Sequence, residues 1–196
     1  MRKPLEILWK IIFSKSNALF LDRDGVINRQ IENGYVTDWD DFVFLPNVLE
    51  ALSILNEYFT RIFIVTNQRG IAKGLYSEYD LLEIHEKMMR KITESSGRID
   101  HIYFCPHDIG ENCNCRKPKP GMAYQAKKDY PEIDFTMSIM VGDTLSDMEF
   151  GKTLDMFTVF VGVEKSVGDI SDGLINLRFD SLFSFAFYLR KFFSKL

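Results

Sequence analysis

The sequence predicts an α/β fold built on a mostly parallel sheet. Short apolar runs rich in β-branched residues alternate with longer segments of helical periodicity, which is the pattern of repeated strand–helix–strand units. Three of these runs end in polar side chains, as strands do when they reach a ligand-binding edge. Crossovers between parallel strands are expected to be right-handed. The predicted strands cover residues 17–21, 61–65, 99–104, 137–141 and 157–161.

Apolar residues at helical spacing mark the elements between these strands. Residues 25–45 show no sustained period, so we expect a loop or a small flap after the first strand. The tail holds a short apolar piece at 174–179 and a final amphipathic helix at 181–193. The intervening helices are predicted at 48–58, 77–95, 121–129 and 146–154.

Residues 1–16 are predicted to form a helical extension at the N-terminus. Glu6 and Lys10 interrupt its apolar stretch and no small-residue cleavage site follows, so a signal peptide is not expected. Packing of the helix on the body is the simplest expectation, and a membrane-surface or partner-binding helix is the alternative. The apolar face is predicted to consist of Leu5, Leu8, Trp9 and Ile12.

Composition limits the class of protein. The 196 residues suit a single domain, 1–196, and the net charge of −4 gives no basic footprint for nucleic acid. No apolar run approaches the roughly 20 residues that a membrane span needs. The three cysteines lie between positions 105 and 115 without an export signal, which favours a reducing compartment and hence the cytoplasm. The phenylalanine-rich final helix leaves a monomer or a weak homodimer as the expected state.

Carboxylates gather where the predicted strands end. The first strand ends at Asp22 and Asp24, the second at Thr66, and the fourth at Asp143. Because these ends share one edge of a parallel sheet, their oxygen atoms can converge on Mg²⁺ together with a substrate phosphate. Asp147 follows one turn later, and the sequence leaves open whether it touches the metal.

Phosphoryl transfer explains this set of residues. Asp22 could attack phosphorus and form an aspartyl-phosphate, while Asp24 could protonate the leaving oxygen and later activate water. The Thr66 hydroxyl could bind the transferring group. The irregular segment after the third strand supplies Lys117, a cation that would neutralise phosphoryl charge.

Four segments, in chain order, resemble the motifs of the haloacid dehalogenase (HAD) superfamily of phosphatases: 22–26, 65–67, 117–118 and 142–147. The resemblance implies a Rossmannoid three-layer sandwich. The absence of a large insertion after the first or second motif implies that there is no large cap domain. It also implies catalytic roles for Asp22, Asp24, Thr66 and Lys117, and a Mg²⁺ site formed by Asp22, Asp24 through its carbonyl, and Asp143.

A second cluster of ligands lies in the loop before Lys117. Three cysteines and one histidine are typical of a closed, structural Zn²⁺ site. Buried free thiols beside a surface histidine are the simpler reading of the same residues, and His101 is a rival fourth ligand. A zinc ion here would order the loop that carries Arg116 and Lys117. The predicted ligands are Cys105, His107, Cys113 and Cys115.

A zinc loop that leads into an Arg-Lys-Pro sequence is similar to one branch of the superfamily, which contains heptose-bisphosphate and histidinol-phosphate phosphatases. Two features depart from the heptose enzymes: only five residues separate His107 from Cys113, and Thr144 replaces a usual lysine. The resemblance implies that the substrate is bound by Glu32, Asn33, Gly34, Tyr35, Asn67, Gln68, Arg69 and Arg116.

The predicted activity is Mg²⁺-dependent hydrolysis of a phosphorylated sugar. The resemblance implies D-glycero-D-manno-heptose 1,7-bisphosphate, cleaved at C7, as the substrate. Hydrolysis of histidinol phosphate is the alternative within the same chemistry. A non-catalytic, zinc-stabilised binding or scaffold module is the alternative of another class.

Overall fold

A computed structural model describes residues 2–162 and 172–193 of the chain. Six strands form one sheet in the order β3-β2-β1-β4-β5-β6, and every pair of neighbouring strands is parallel. The predicted α/β class is therefore confirmed. The strands are β1 (Ala18–Leu21), β2 (Arg61–Asn67), β3 (His101–Cys105), β4 (Ile139–Gly142), β5 (Phe157–Val161) and β6 (Leu177–Phe179).

Helices cover both faces of the sheet and make three layers. The N-terminal helix, the two helices that follow β1 and β2, and the final helix bury their apolar sides in one cluster. The two helices that follow β3 and β4 bury theirs in a second cluster on the opposite face. The helices are α1 (Arg2–Ile12), α2 (Val48–Leu55), α3 (Glu78–Glu94), α4 (Gly121–Asp129), α5 (Leu145–Thr153) and α6 (Leu182–Phe193).

Burial on both faces of the sheet explains why the sequence of the central strand β1 is apolar throughout. Leu19 and Leu21 point into the first cluster, whereas Ala18 and Phe20 point into the second. A strand covered by helices on both faces needs apolar side chains at every position, rather than at alternate ones. This double burial places β1 in the middle of the sheet, with a paired strand on each side.

Some element boundaries differ from the prediction. The structure starts β4 at Ile139 instead of residue 137, because Asp134 caps a short 3₁₀ turn, Phe135–Met137, by accepting a hydrogen bond from the Thr136 amide (2.9 Å). The apolar piece predicted at 174–179 contains strand β6, which pairs with β5. Pairing with a neighbour decides whether so short a segment becomes a strand.

The flap, residues 22–47, contains no helix or regular strand, and all of its residues are described. Trp39 stacks on Phe42 with ring centroids 5.1 Å apart, and Phe42 meets Phe44 edge to face at 5.0 Å. A single β-bridge joins Asn28 to Phe44. The flap is thus a compact wall with its own aromatic core, and no cap domain is inserted there.

The helix α1 packs on the body, as expected. Leu8 and Ile11 are fully buried, and the buried Asn17 side chain donates to the carbonyl of Ile11 (3.0 Å) and to that of Tyr58 (2.8 Å). One residue of its predicted apolar face is placed differently: Trp9 is 47% exposed, and Ile11 takes the buried position. Among the described helices, none combines the length and the apolar character that crossing a bilayer requires.

Candidate active site

The carboxyl ends of β1, β2 and β4 meet at one edge of the sheet, where they border a cavity of about 240 Å³. Asp22 follows β1 directly, and its amide donates to the carbonyl of Val141 in β4 (3.0 Å). Thr66 lies near the end of β2, and Asp143 follows β4. The parallel topology thus brings together residues that are more than 100 positions apart in the sequence.

Lys117 lies at the centre of the site and is almost fully buried. Its ammonium nitrogen is 2.9 Å from Asp22 Oδ1 and 2.6 Å from Asp147 Oδ1. The Arg23 amide also donates to Asp22 Oδ1 (2.7 Å). Both contacts of Asp22 fall on the same oxygen, so Oδ2 is left available for a reacting atom.

The start of α5 explains why Asp147 is buried yet well accommodated. Its Oδ2 accepts from the Thr144 amide (3.1 Å) and from the Thr144 hydroxyl (2.5 Å), while Oδ1 accepts from Lys117. The carboxylate therefore caps α5 and fixes Lys117 at the same time. Because both of its oxygens already accept hydrogen bonds, Asp147 is better suited to positioning Lys117 than to binding a metal.

Asp143 has a free acceptor that fits a cation. Its Oδ1 is buried without a hydrogen-bond partner among the described residues, and its carboxylate lies within 4.8 Å of ligand atoms of Asp22 and Asp147. Gly25, at φ +89°, leaves the space for it, because a Cβ at that position would lie 2.0 Å from Asp143 Oδ2. Three carboxylates next to a single ammonium group give the site several oxygen ligands and an excess of negative charge. Mg²⁺ prefers sites of this kind.

The pKa values reflect this excess of negative charge. Burial, followed by repulsion from neighbouring carboxylates, raises the pKa of Asp143 to about 8. Burial also raises the pKa of Asp22, to about 7, although Lys117 opposes the change. Burial alone would lower the pKa of Lys117, but Asp147 and Asp22 raise it above its ordinary value. A divalent cation between the carboxylates would favour their ionised forms.

Asp24 is held by a set of donors of its own. Arg23 donates to both carboxylate oxygens (2.9 and 3.0 Å), Asn28 to Oδ1 (2.9 Å) and Gln68 to Oδ2 (3.0 Å). Burial would raise the pKa of Asp24, but the Arg23 charge and these hydrogen bonds lower it below the ordinary value. The carboxylate is therefore ionised in the free protein.

Arg23 and His85 border the site, although neither was predicted as a site residue. Arg23 is 1% exposed, and its Nη1 is 3.2 Å from His85 Nε2 on α3. Burial and then the Arg23 charge lower the pKa of His85 to about 3, so its neutral ring can accept this hydrogen bond. The sequence feature that could have identified Arg23 is its position between two aspartates, because an arginine there can turn inward and neutralise one of them.

Thr66 is buried and connected to Asp24 through Gln68. The Gln68 amide donates to Thr66 Oγ1 (2.7 Å), and its carbonyl oxygen accepts from the Tyr76 hydroxyl (2.6 Å). Because Thr66 Oγ1 accepts from Gln68, its own hydroxyl proton is available to a phosphoryl oxygen. One glutamine therefore fixes the orientation of two groups at the site.

Asn67 connects β2 to the segment that carries the lysine. Its amide nitrogen donates to the Lys117 carbonyl (3.2 Å), and its carbonyl oxygen accepts from the Lys117 amide (3.0 Å). Arg116, the preceding residue, donates to the carbonyl of His107 (3.4 Å) and lines the cavity. Lys117 is thus held through its backbone by Asn67, and the Arg116 side chain is held by the backbone of His107.

The four predicted zinc ligands converge in the structure. Cys105 Sγ lies 3.1 Å from Cys115 Sγ and 3.7 Å from Cys113 Sγ, and His107 Nδ1 lies 3.2 Å from Cys115 Sγ. All four ligand atoms lie within 4.8 Å of one another, which is compatible with a tetrahedral zinc site. The rival ligand, His101, instead packs its ring on Tyr103 at 4.5 Å.

The cavity includes some of the predicted substrate-binding residues and leaves out others. Glu32, Asn33 and Arg69 do not line it, and Arg69 instead pairs with Asp108 at 2.5 Å. Several residues of the cavity wall were not predicted, because no local sequence pattern shows which flap side chains point inward. The predicted residues at the cavity are Gly34, Tyr35, Asn67, Gln68 and Arg116, and those not predicted are Arg23, Gln30, Ile31, Val36, Thr144 and Ser146.

Comparison with known proteins places this site in a family. The sequence model for Polynucleotide kinase 3 phosphatase matches residues 17–159. A Campylobacter jejuni protein named D-glycero-alpha-D-manno-heptose-1,7-bisphosphate 7-phosphatase is 42% identical over 165 residues, covering 84% of this chain and 93% of the relative. The Haemophilus influenzae enzyme named for the beta anomer is 40% identical over 174 residues, covering 85% and 93%.

A solved structure has a similar fold. The D,D-heptose 1,7-bisphosphate phosphatase from B. bronchiseptica, complexed with magnesium and phosphate, superimposes with a TM-score of 0.81 and 30% sequence identity. The match covers 89% of this chain and 98% of that one.

Proposed function

This chain belongs to the Polynucleotide kinase 3 phosphatase family and is a HAD-type phosphoric monoester hydrolase, and we propose that its substrate is D-glycero-D-manno-heptose 1,7-bisphosphate, cleaved at C7. Relatives at 40–42% identity carry this name and are covered over almost their full length. The observation that carries the chemistry is the contact of Lys117 with Asp22, next to the Asp143 oxygen that has no hydrogen-bond partner in the part of the chain that the structure describes.

In the first step of the proposed mechanism, Asp22 Oδ2 attacks the phosphorus of the phosphate group on C7. The bond between that phosphorus and the sugar oxygen breaks at the same time. Lys117 and the Thr66 hydroxyl stabilise the charge on the phosphoryl oxygens. Asp24 delivers the proton to the leaving oxygen. The negative phosphate group bound beside Asp24 favours the protonated carboxyl that this step requires.

In the second step, water hydrolyses the aspartyl-phosphate. The Asp24 carboxylate takes a proton from the attacking water, the phosphorus–Asp22 bond breaks, and inorganic phosphate is released. Arg23 and Gln68 hold that carboxylate in place through both steps. The ionised form that they stabilise in the free protein is the one that activates water.

Mg²⁺ and Zn²⁺ complete the proposal. Asp22, the carbonyl of Asp24 and Asp143 would hold Mg²⁺, which would supply positive charge to the phosphate. Cys105, His107, Cys113 and Cys115 would hold a structural Zn²⁺ that fixes the backbone leading to Arg116. None of these three cysteines forms a disulfide, which suits a reducing compartment, and we propose the cytoplasm.

Among the predicted substrate contacts, the strongest candidates are those that line the cavity: Gly34, Tyr35, Asn67, Gln68 and Arg116. Arg116 would pair with an anionic or hydroxyl group of the sugar that protrudes from the site. Substrate binding by Glu32, Asn33 and Arg69 remains a prediction, and it requires a substrate long enough to extend beyond the cavity.

The test is phosphate release from a panel of substrates with Mg²⁺ present. The panel contains both anomers of the heptose bisphosphate, histidinol phosphate and a 3′-phosphorylated oligonucleotide, and Asp22→Asn protein serves as the blank. We expect the highest kcat/KM with one heptose anomer. Faster turnover of histidinol phosphate or of the oligonucleotide would overturn the choice of substrate. No release from any compound would overturn catalysis and favour the scaffold alternative.

A further inference from the structure

The helices α1 and α6 carry a continuous row of aromatic rings, here called the terminal aromatic face: Trp9, Phe13, Phe193, Phe192 and Tyr188. The rings of Trp9 and Phe13 lie 4.6 Å apart, and those of Phe13 and Phe193 lie 5.7 Å apart. Phe192 contacts Phe193 at 5.1 Å and Tyr188 at 5.9 Å. The row therefore joins the first helix to the last.

Much of this face is open to solvent. Phe13 is 57% exposed, Trp9 47% and Phe192 37%, and the neighbouring Ile7 is also exposed. A groove between the two helices is lined by Leu5, Glu6, Trp9, Lys10 and Phe192. Large aromatic side chains clustered in solvent mark an interaction surface, whereas single exposed ones are common.

The face is presented by a helix that is already fixed on its other side. Leu8 and Ile11 of α1 are fully buried in the core. Asn17 ties the end of the helix to the carbonyl of Tyr58 (2.8 Å) and accepts from the Thr60 amide (2.8 Å). Tyr188 and Phe193 pack against the core, whereas Trp9, Phe13 and Phe192 are exposed and can contact a partner.

The charge around the face is opposite to that of the rest of the chain. The described side chains of α1, of the residues just after it and of α6 include Lys10, Lys15, Arg190 and Lys191 and a single acid, Glu6, whereas the whole chain carries −4. Arg190 also lies 3.9 Å from Glu50 of α2. Lys10 and Lys15 are exposed, and Lys10 lines the groove together with Trp9 and Phe192. Aromatic side chains flanked by lysines suit the interface of an anionic bilayer, where rings sit among headgroups and lysines pair with phosphates.

We propose that the terminal aromatic face binds the surface of an anionic lipid bilayer without crossing it. A second copy of the chain fits less well, because a twofold dimer would bring the same positive face against itself. The face also lies apart from the chemistry. The helix α1 ends before the amino end of β1, while Asp22 follows its carboxyl end. A bound membrane therefore leaves the cavity open.

The proposal does not depend on the identity of the substrate. The family match covers residues 17–159, so both α1 and α6 lie outside it. Shared phosphatase chemistry therefore gives no reason for these two helices to carry exposed rings and lysines.

The experiment is co-sedimentation of the full-length protein with vesicles of phosphatidylglycerol and phosphatidylcholine, and with vesicles of phosphatidylcholine alone. Two variants remove the rings (Trp9→Ala with Phe13→Ala) or reverse the charge (Lys10→Glu with Lys15→Glu). A matched control changes an exposed ring and an exposed lysine on α3 (Tyr79→Ala with Lys87→Glu). Phosphate release reports whether each variant is folded.

We expect binding to the anionic vesicles only, weakened at least tenfold by either variant and by 0.5 M salt, with the control unchanged. Absence of binding, equal binding to neutral vesicles, or equal binding by all variants would overturn the proposal. Sedimentation velocity without lipid provides a further check. A dimer that the ring variant dissociates would assign the face to a second copy instead. If the ring variant does not fold, the charge variant still decides the question.

Discussion

At the residue scale, the site depends on a balance of charges between one buried ammonium group and the carboxylates around it. Lys117 contacts Asp22 and Asp147, and Asp143 has an oxygen without a partner among the described residues. A lysine buried between two carboxylates stays charged, so it presents a fixed positive charge to an incoming phosphate. Each residue of this set therefore has a role that a single substitution can test.

Replacing the proposed nucleophile should separate catalysis from folding. We expect Asp22→Asn to lower kcat by at least about 10³-fold, because the amide cannot form an acyl-phosphate. The asparagine is nearly isosteric and removes one of the crowded negative charges, so thermal unfolding should occur at the same temperature or higher. Phosphate release and a melting curve measure the two effects. Near-normal turnover would rule out Asp22 as the nucleophile.

His85 should make the protein sensitive to acid. Its pKa is about 3 in the folded protein and near 6.5 in an unfolded chain, so the unfolded state binds the extra proton as the pH falls through this window. This residue alone should cost about 2 kcal/mol of stability between pH 7.5 and pH 5. The cost is absent above pH 7.5.

His85→Gln provides the comparison, because glutamine can still accept from Arg23 but does not titrate. Urea unfolding of both proteins at the two pH values measures the difference, and we expect a smaller loss of stability in the variant. An equal loss in both proteins would show that His85 takes up its proton in the folded state as well.

At the scale of elements, the sequence was sufficient where pattern and topology act together. The strand β1 and the residues that follow it were predictable, because an apolar run that ends abruptly in Asp22 is typical of a buried strand at a binding edge. The positions in the flap were not, because whether Glu32 or Gln30 faces the cavity depends on how the aromatic core of the flap packs. Trp9 shows the same limit: helical spacing defines an apolar stripe, but the neighbouring elements decide which edge of it is covered.

The zinc loop should affect catalysis by positioning Arg116 and Lys117. We expect Cys115→Ser to lose zinc and to lower kcat/KM, because the ligand directly precedes Arg116 and Lys117. Metal analysis and kinetics measure the two effects, and Cys115→His, which retains a zinc ligand, should restore part of both. Full activity in a zinc-free protein would show that the loop is held by Asn67 and the other backbone contacts alone.

At the scale of the whole molecule, Mg²⁺ should stabilise the folded state. The carboxylates of Asp22 and Asp143 are crowded in the fold and far apart in an unfolded chain, so the ion binds only the folded form. At 100 times its dissociation constant it should add about 2.7 kcal/mol. Thermal melting with increasing Mg²⁺ measures this, with Asp143→Asn as the control that should lose the response. An equal rise in melting temperature in both proteins would place the ion elsewhere.

The packing of the flap also bears on how fast substrate can be captured. Its aromatic stack and the Asn28–Phe44 bridge hold the wall in place before any ligand arrives. Because the wall is already formed, substrate binding does not include the entropic cost of ordering a loop. We therefore expect that no part of the flap has to close over the substrate, and that one side of the bound substrate stays in contact with water. The rate of substrate capture then depends on diffusion and charge attraction. A more viscous solvent should lower kcat/KM by no more than the factor by which it slows diffusion.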